Sequence, residues 1–78
     1  MPVSVLVEAK TRLRPAEVRR FAAAYPQLVT QLGIQGTHMG YAYGLRVYAG
    51  AEQATRDAGF GVLSPDGERV PPIARGGA

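Results

Sequence analysis

Most of the charged side chains in this chain are basic. Arg12, Arg14, Arg19 and Arg20 lie close together, Arg46 follows at a distance, and Lys10 is the only lysine among nine cationic side chains. A guanidinium offers a planar fork of donors, which suits phosphates, carboxylates and aromatic faces. Such a cluster can meet phosphates, although runs of this kind more often form a solvated helix face. A second feature is the stretch "HMGYAYGLRVYAG", His38 to Gly50, where Met39, Tyr41 and Tyr43 alternate with Gly40, Ala42 and Gly44. On a strand, alternate residues share a face. Tyrosines so spaced could stack on nucleobases, or they could belong to an ordinary core strand. Met39, Tyr41, Tyr43, Arg46, Arg12 and Arg14 are therefore the candidate binding residues.

Other chemistry is set aside by composition. His38 is the only histidine, so a multi-histidine metal site or a Ser-His-Asp array with a spare base cannot be assembled. With no cysteine there is neither a disulfide nor a thiolate–metal site. The six carboxylates are scattered, with no pair at helical i, i+4 spacing, and no G-x-x-x-x-G-K-[ST] phosphate loop occurs. No cofactor and no metal are expected. The chain has 78 residues and a formal net charge of +3, which fits one small domain. A domain of this size buries roughly 60–65% of its unfolded surface, so docking onto a partner would add needed stability. No run approaches the ~18 apolar residues of a membrane span, and no signal-peptide pattern opens the chain. The expected location is cytoplasmic, without membrane contact.

The elements that would position these residues follow from periodicity. "VSVLVEA" is β-branched and apolar and predicts a mostly buried strand. Pro15 suits a helix start, and Val18, Phe21, Ala22 and Tyr25 recur at helical spacing. Pro26 predicts that this helix ends near Tyr25, because an internal proline removes a hydrogen bond and clashes with the preceding turn. "QLVTQLGI" then reads as a second strand, joined by the short turn "QGTH" to "MGYAYGLRVY" in an antiparallel hairpin. On the third strand Leu45 and Val47 are expected in the core, while Gly44 could host a bulge that turns Tyr41 and Tyr43 toward a partner. "AGAEQATRDAG" predicts a short helix stopped at Gly59. "FGVL", the turn "SPDG" and "ERVPPI" predict a terminal hairpin, with Pro71 and Pro72 confining the last segment to an edge. Residues 1–73 are read as one domain and 74–78 as a loose tail. The predicted class is α+β, in the βαββαβ order of a ferredoxin-like plait with both helices on one sheet face.

Two families resemble parts of this chain. "GYAYG" resembles the third-strand signature of the RNA-recognition motif, basic–Gly–aromatic–Gly/Ala–aromatic–Val–any–aromatic. Gly40, Tyr41, Ala42 and Tyr43 fit four consecutive places. Met39 stands where the basic residue belongs, Gly44 replaces the valine, and the first strand has no aromatic. The resemblance implies that Tyr41 and Tyr43 lie on an open sheet face and stack on bases. At the other end, Pro2 heading a βαβ unit is similar to the 4-oxalocrotonate tautomerase family. That resemblance implies a tautomerase in which the Pro2 amine is a general base once Met1 is removed, with Arg12, Arg46 and Phe60 as its arginines and aromatic residue. The stretch between Arg12 and Arg46 is longer than the family pattern.

The favoured expectation is a small, basic, non-enzymatic binding or assembly module using one sheet face. Its partner would be a protein, its own copy in a homo-oligomer, or nucleic acid. Such a chain would suit a phage or plasmid accessory protein. The alternative is the tautomerase-like enzyme with an N-terminal proline.

Overall fold

The computed structural model describes residues 3–76. The elements run β1 (Val3–Leu13), α1 (Pro15–Gln31), β2 (Thr37–Val47), α2 (Ala51–Ala58), β3 (Gly61–Ser64), β4 (Gly67–Val70) and β5 (Arg75–Gly76). They form an α+β structure with one mixed sheet in the order β1-β2-β3-β4, while β5 pairs with β2. β1, β2 and β3 are parallel, and β3–β4 is an antiparallel hairpin. The predicted antiparallel plait is corrected by this order and by these pairings.

The physical reason lies in α1. It runs without interruption through Pro26 to Gln31, so the strand expected at Gln27–Ile34 does not exist, nor does its hairpin. An internal proline costs about 3 kcal/mol in a helix. Against this, the apolar stripe continues past it: Val18, Phe21 and Tyr25 are buried, and Leu28 and Val29 pack beside them. Pro26 itself sits on the exposed side, where a carbonyl freed of its partner can be solvated. With a 17-residue helix between them, β1 and β2 become a parallel βαβ unit rather than members of an antiparallel plait.

Local signals hold farther along the chain. α2 stops at Gly59, which adopts φ 80°, and the β3–β4 turn holds Pro65 and Asp66 as expected. Asp66 N–H donates to Ser64 Oγ at 3.2 Å. The segment expected to be a loose tail contributes Arg75 and Gly76 to the sheet, paired with His38 and Thr37. Gly77 and Ala78 fall outside the described residues.

Both helices pack on one face of the sheet and touch each other. One core cluster joins Leu13, Val18, Ala42, Ala51, Val62 and Val70. A second joins Phe21, Tyr25 and Phe60. The helix-facing residues of β2 are small: Gly40, Ala42 and Gly44 are buried. A Cβ at Gly40 would lie 2.7 Å from Phe60 Cδ1 and 2.8 Å from Tyr25 Cε1, so the aromatic rings occupy the room a side chain would need. The next inward residue after Gly44 is Val47, packed on the first cluster. The strand's alternation therefore slips by one between them, near the glycine expected to host a switch.

Candidate functional site

Among the described residues, no helix lies on the opposite face of the sheet. Val3, Val5 and Val7 of β1 are 51%, 52% and 52% exposed, and Leu45 of β2 is 59% exposed. Met39, Tyr41 and Tyr43 lie beside them, half-buried, brought there by the pairings Val5–Met39, Val7–Tyr41 and Ala9–Tyr43. Leu45, expected in the core, is not there, because the core side of β2 is taken by the glycine–alanine–glycine row. Val47 does reach the core. Tyr41 lies flat over Gly61 of β3, since a Cβ there would meet its Cε1 at 2.6 Å. Its hydroxyl donates to Glu68 Oε1 of β4 at 2.5 Å, tying the ring down across the sheet. That hydrogen bond, helped by partial burial and by the carboxylate's charge, raises the Tyr41 phenol above the usual tyrosine value. Apart from Glu68, the side chains named on this face carry no charge.

Arg12, Arg14 and Arg46 gather at the end of the sheet, beside Leu45. Arg12 and Arg46 are register partners on the parallel strands β1 and β2, so they project side by side from the same face. Arg14, just before α1, places its guanidinium 4.9 Å from the centre of the Tyr48 ring. Tyr48 follows β2 directly, and its N–H donates to the Leu13 carbonyl at 2.9 Å, which fixes the ring beside the end of β1. Partial burial works to raise the Tyr48 phenol. Arg46 and Arg14 as hydrogen-bond donors and Arg12 through its charge outweigh that and lower it below the ordinary value. Among the described residues no carboxylate pairs with Arg12, Arg14 or Arg46, whereas Lys10, Arg20, Arg56 and Arg69 each have one. The structure thus brings together three of the sequence-predicted binding residues and adds Tyr48, whose position depends on a parallel register no local pattern announces. Arg19 and Arg20 stand on the exposed side of α1, as a solvated helix face does.

A third cluster surrounds the end of β5. Tyr25 Oη and His38 Nδ1 are 2.8 Å apart. The Arg75 guanidinium lies 4.3 Å from the centre of Phe60 and 5.4 Å from that of Tyr25, and it donates to the Ala58 carbonyl. Burial raises the Tyr25 phenol, with Arg75 opposing. These contacts fasten the C-terminal segment over the aromatic cluster.

Of the residues of the N-terminal-proline alternative, Arg12 and Arg46 are neighbours, and Pro2 falls outside the described residues. Phe60 is 2% exposed inside the aromatic cluster and cannot face a substrate. Among the described residues no group of three or more histidine or acidic side chains is placed to hold a metal ion, and no helix is long and apolar enough to cross a membrane.

Fold and site together define a small α+β domain with a one-sided mixed sheet and an arginine cluster at the ends of β1 and β2. No family model, curated protein or solved structure matches the chain significantly.

Proposed function

We propose that this protein is a non-enzymatic assembly module that pairs with a second copy of itself through the uncovered sheet face. The observation that carries this is the row Val3, Val5 and Val7, each half-exposed, flanked by Met39, Tyr41, Tyr43 and Leu45. Register pairing sets these side chains next to one another in one apolar row, and an exposed apolar patch of this kind marks an interaction surface. The face also suits a two-fold contact, because its central side chains are uncharged and no like charges meet when it is paired with itself. A nucleic-acid backbone finds less at the centre of this face, where the Glu68 carboxylate bound to Tyr41 repels phosphate; Lys10 stands at its edge beside Tyr43 and Leu45.

The test is light scattering on the purified chain and on Val5→Lys, a substitution at a side chain 52% exposed and therefore tolerable to the fold. The expected result is a particle of twice the 8.3 kDa chain mass, reduced to a monomer by Val5→Lys with circular dichroism unchanged. A wild-type monomer at the highest soluble concentration refutes self-pairing. Co-elution of that monomer with RNA, abolished by Tyr43→Ala, would move the face to the nucleic-acid reading.

A further inference from the structure

We propose that the carboxyl ends of β1 and β2 form a binding site for a compact phosphate monoester dianion, held by Arg12, Arg46 and Arg14 around Tyr48. This site adjoins the end of the assembly face at Leu45 and does not require self-pairing. Arg12 and Arg46 are register partners on neighbouring strands. Two guanidiniums side by side without a carboxylate repel each other, and like charges directly opposite across a strand pair destabilise it. An anion between them removes that cost and gains paired, charge-assisted hydrogen bonds. Arg14 enters from the adjacent loop, held in place by its contact with the Tyr48 ring at 4.9 Å and by its backbone N–H, which donates to Glu17 Oε1 at 3.1 Å.

The cluster gathers at one end of the sheet: Arg14 and Tyr48 directly follow β1 and β2, and Arg14 lies 4.9 Å over the Tyr48 ring, whose phenol the three arginines together lower. Beside it lies an open hollow of about 310 Å³, lined by Leu45, Arg46, Val47, Tyr48 and Arg69. Arg69 is already engaged by Glu52 at 3.4 Å, so it closes the wall without adding a free cation. The three cations are grouped within one residue of the ends of β1 and β2. That arrangement matches a single doubly charged group better than a string of phosphodiesters, which calls for charges spaced along a track.

The experiment is titration of the whole chain with inorganic phosphate, and in parallel with an oligodeoxynucleotide lacking terminal phosphates. Two signals are followed: heat of binding and the ultraviolet titration of the most acidic tyrosine. Saturable phosphate binding is expected, together with a rise of the Tyr48 phenol toward its ordinary value as negative charge arrives. Arg46→Gln and Arg12→Gln should each weaken binding by about tenfold or more and abolish the phosphate-dependent shift. Both side chains are exposed, and thermal melting should show that the variants remain folded. No saturable phosphate binding, or binding unaffected by both substitutions, overturns the site. Equal or tighter binding of the unphosphorylated oligonucleotide overturns the assignment to a compact dianion.

Discussion

Replacing Gly40 by alanine tests the placement of the aromatic cluster with a single methyl group. The backbone at Gly40 has no positive φ, so an ordinary strand position would be indifferent to alanine or would gain about 0.5–1 kcal/mol from a less flexible unfolded chain. Here the added carbon would stand 2.7 Å from Phe60 Cδ1, 2.8 Å from Tyr25 Cε1 and 2.9 Å from Phe60 Cε1. Neither ring has an easy retreat. Phe60 is held against Phe21, centroids 4.9 Å apart, and under the Arg75 guanidinium; Tyr25 is tied to His38. Overpacking a rigid core typically costs about 1–3 kcal/mol, so the net loss should be about 1–2 kcal/mol. In a chain of this length that lowers the melting temperature by about 4–16 °C. Urea and thermal unfolding of Gly40→Ala, followed by far-ultraviolet circular dichroism, measure it directly. A variant as stable as the parent, or more so, would show that the rings of α1 and Phe60 do not press on this strand, and the inward assignment of Gly40, Ala42 and Gly44 would fall with it.

Pro26→Ala should stabilise the protein by up to about 3 kcal/mol, since alanine restores the missing hydrogen bond inside a continuous helix; a loss of stability in urea would mean the helix breaks there. In an alkaline ultraviolet titration Tyr48 should ionise first, and Tyr25 and Tyr41 should ionise above the reference value of 10.0; assignment by single Tyr→Phe variants checks the order. For Tyr25, whose folded value is raised, stability is complete below pH 10 and declines as pH climbs through the folded value; for Tyr48, whose value is lowered, ionisation adds stability as pH rises toward 10. A pH–stability profile of Tyr25→Phe that still shows the parent's alkaline decline unchanged would contradict the Tyr25 part. Arg75→Ala should cost about 1–2 kcal/mol, by removing a partly desolvated cation from over Phe60 and a donor from the Ala58 carbonyl, and amide exchange at Thr37 and His38 should quicken as β5 loosens.

The parts of this structure legible in the chain are those decided within a few residues. Gly59 stops α2 because a left-handed residue is needed there, and Pro65–Asp66 turns the β3–β4 hairpin for equally local reasons. The end of α1 is not legible, because Pro26 is a local signal and its defeat is not local: Tyr25, Leu28 and Val29 gain their weight from the sheet and from Phe60. The topology goes with it, since a strand at Gln27–Ile34 is what would make the sheet a plait. Alternation separates the two faces of β2 as far as Leu45, slips before Val47, and cannot say which face is inward. The apolar, aromatic side looks like the core side until the bulky residues of α1 and Phe60 are seen to need the space. Arg12 and Arg46 each stand out in the chain; only the parallel register makes them neighbours. Tyr48 has no signal of its own beyond being an aromatic two residues after an arginine.

β2 is built inside out, with its small residues against the helices and its large ones facing away. Folding therefore makes its strictest demands at positions 40, 42 and 44, where bulk is excluded, and weaker ones at 39, 41, 43 and 45, the tie of Tyr41 to Glu68 aside. A population of chains selected for folding alone would let the outer four drift toward threonine, serine and charged residues while holding the inner three at glycine or alanine. Selection for the intact activity of the protein would hold both rows. Deep mutational scanning under those two regimes would thus separate what this strand owes to its own fold from what it owes to whatever rests upon it. The difference between the two maps would outline the contact surface residue by residue, whatever the partner is.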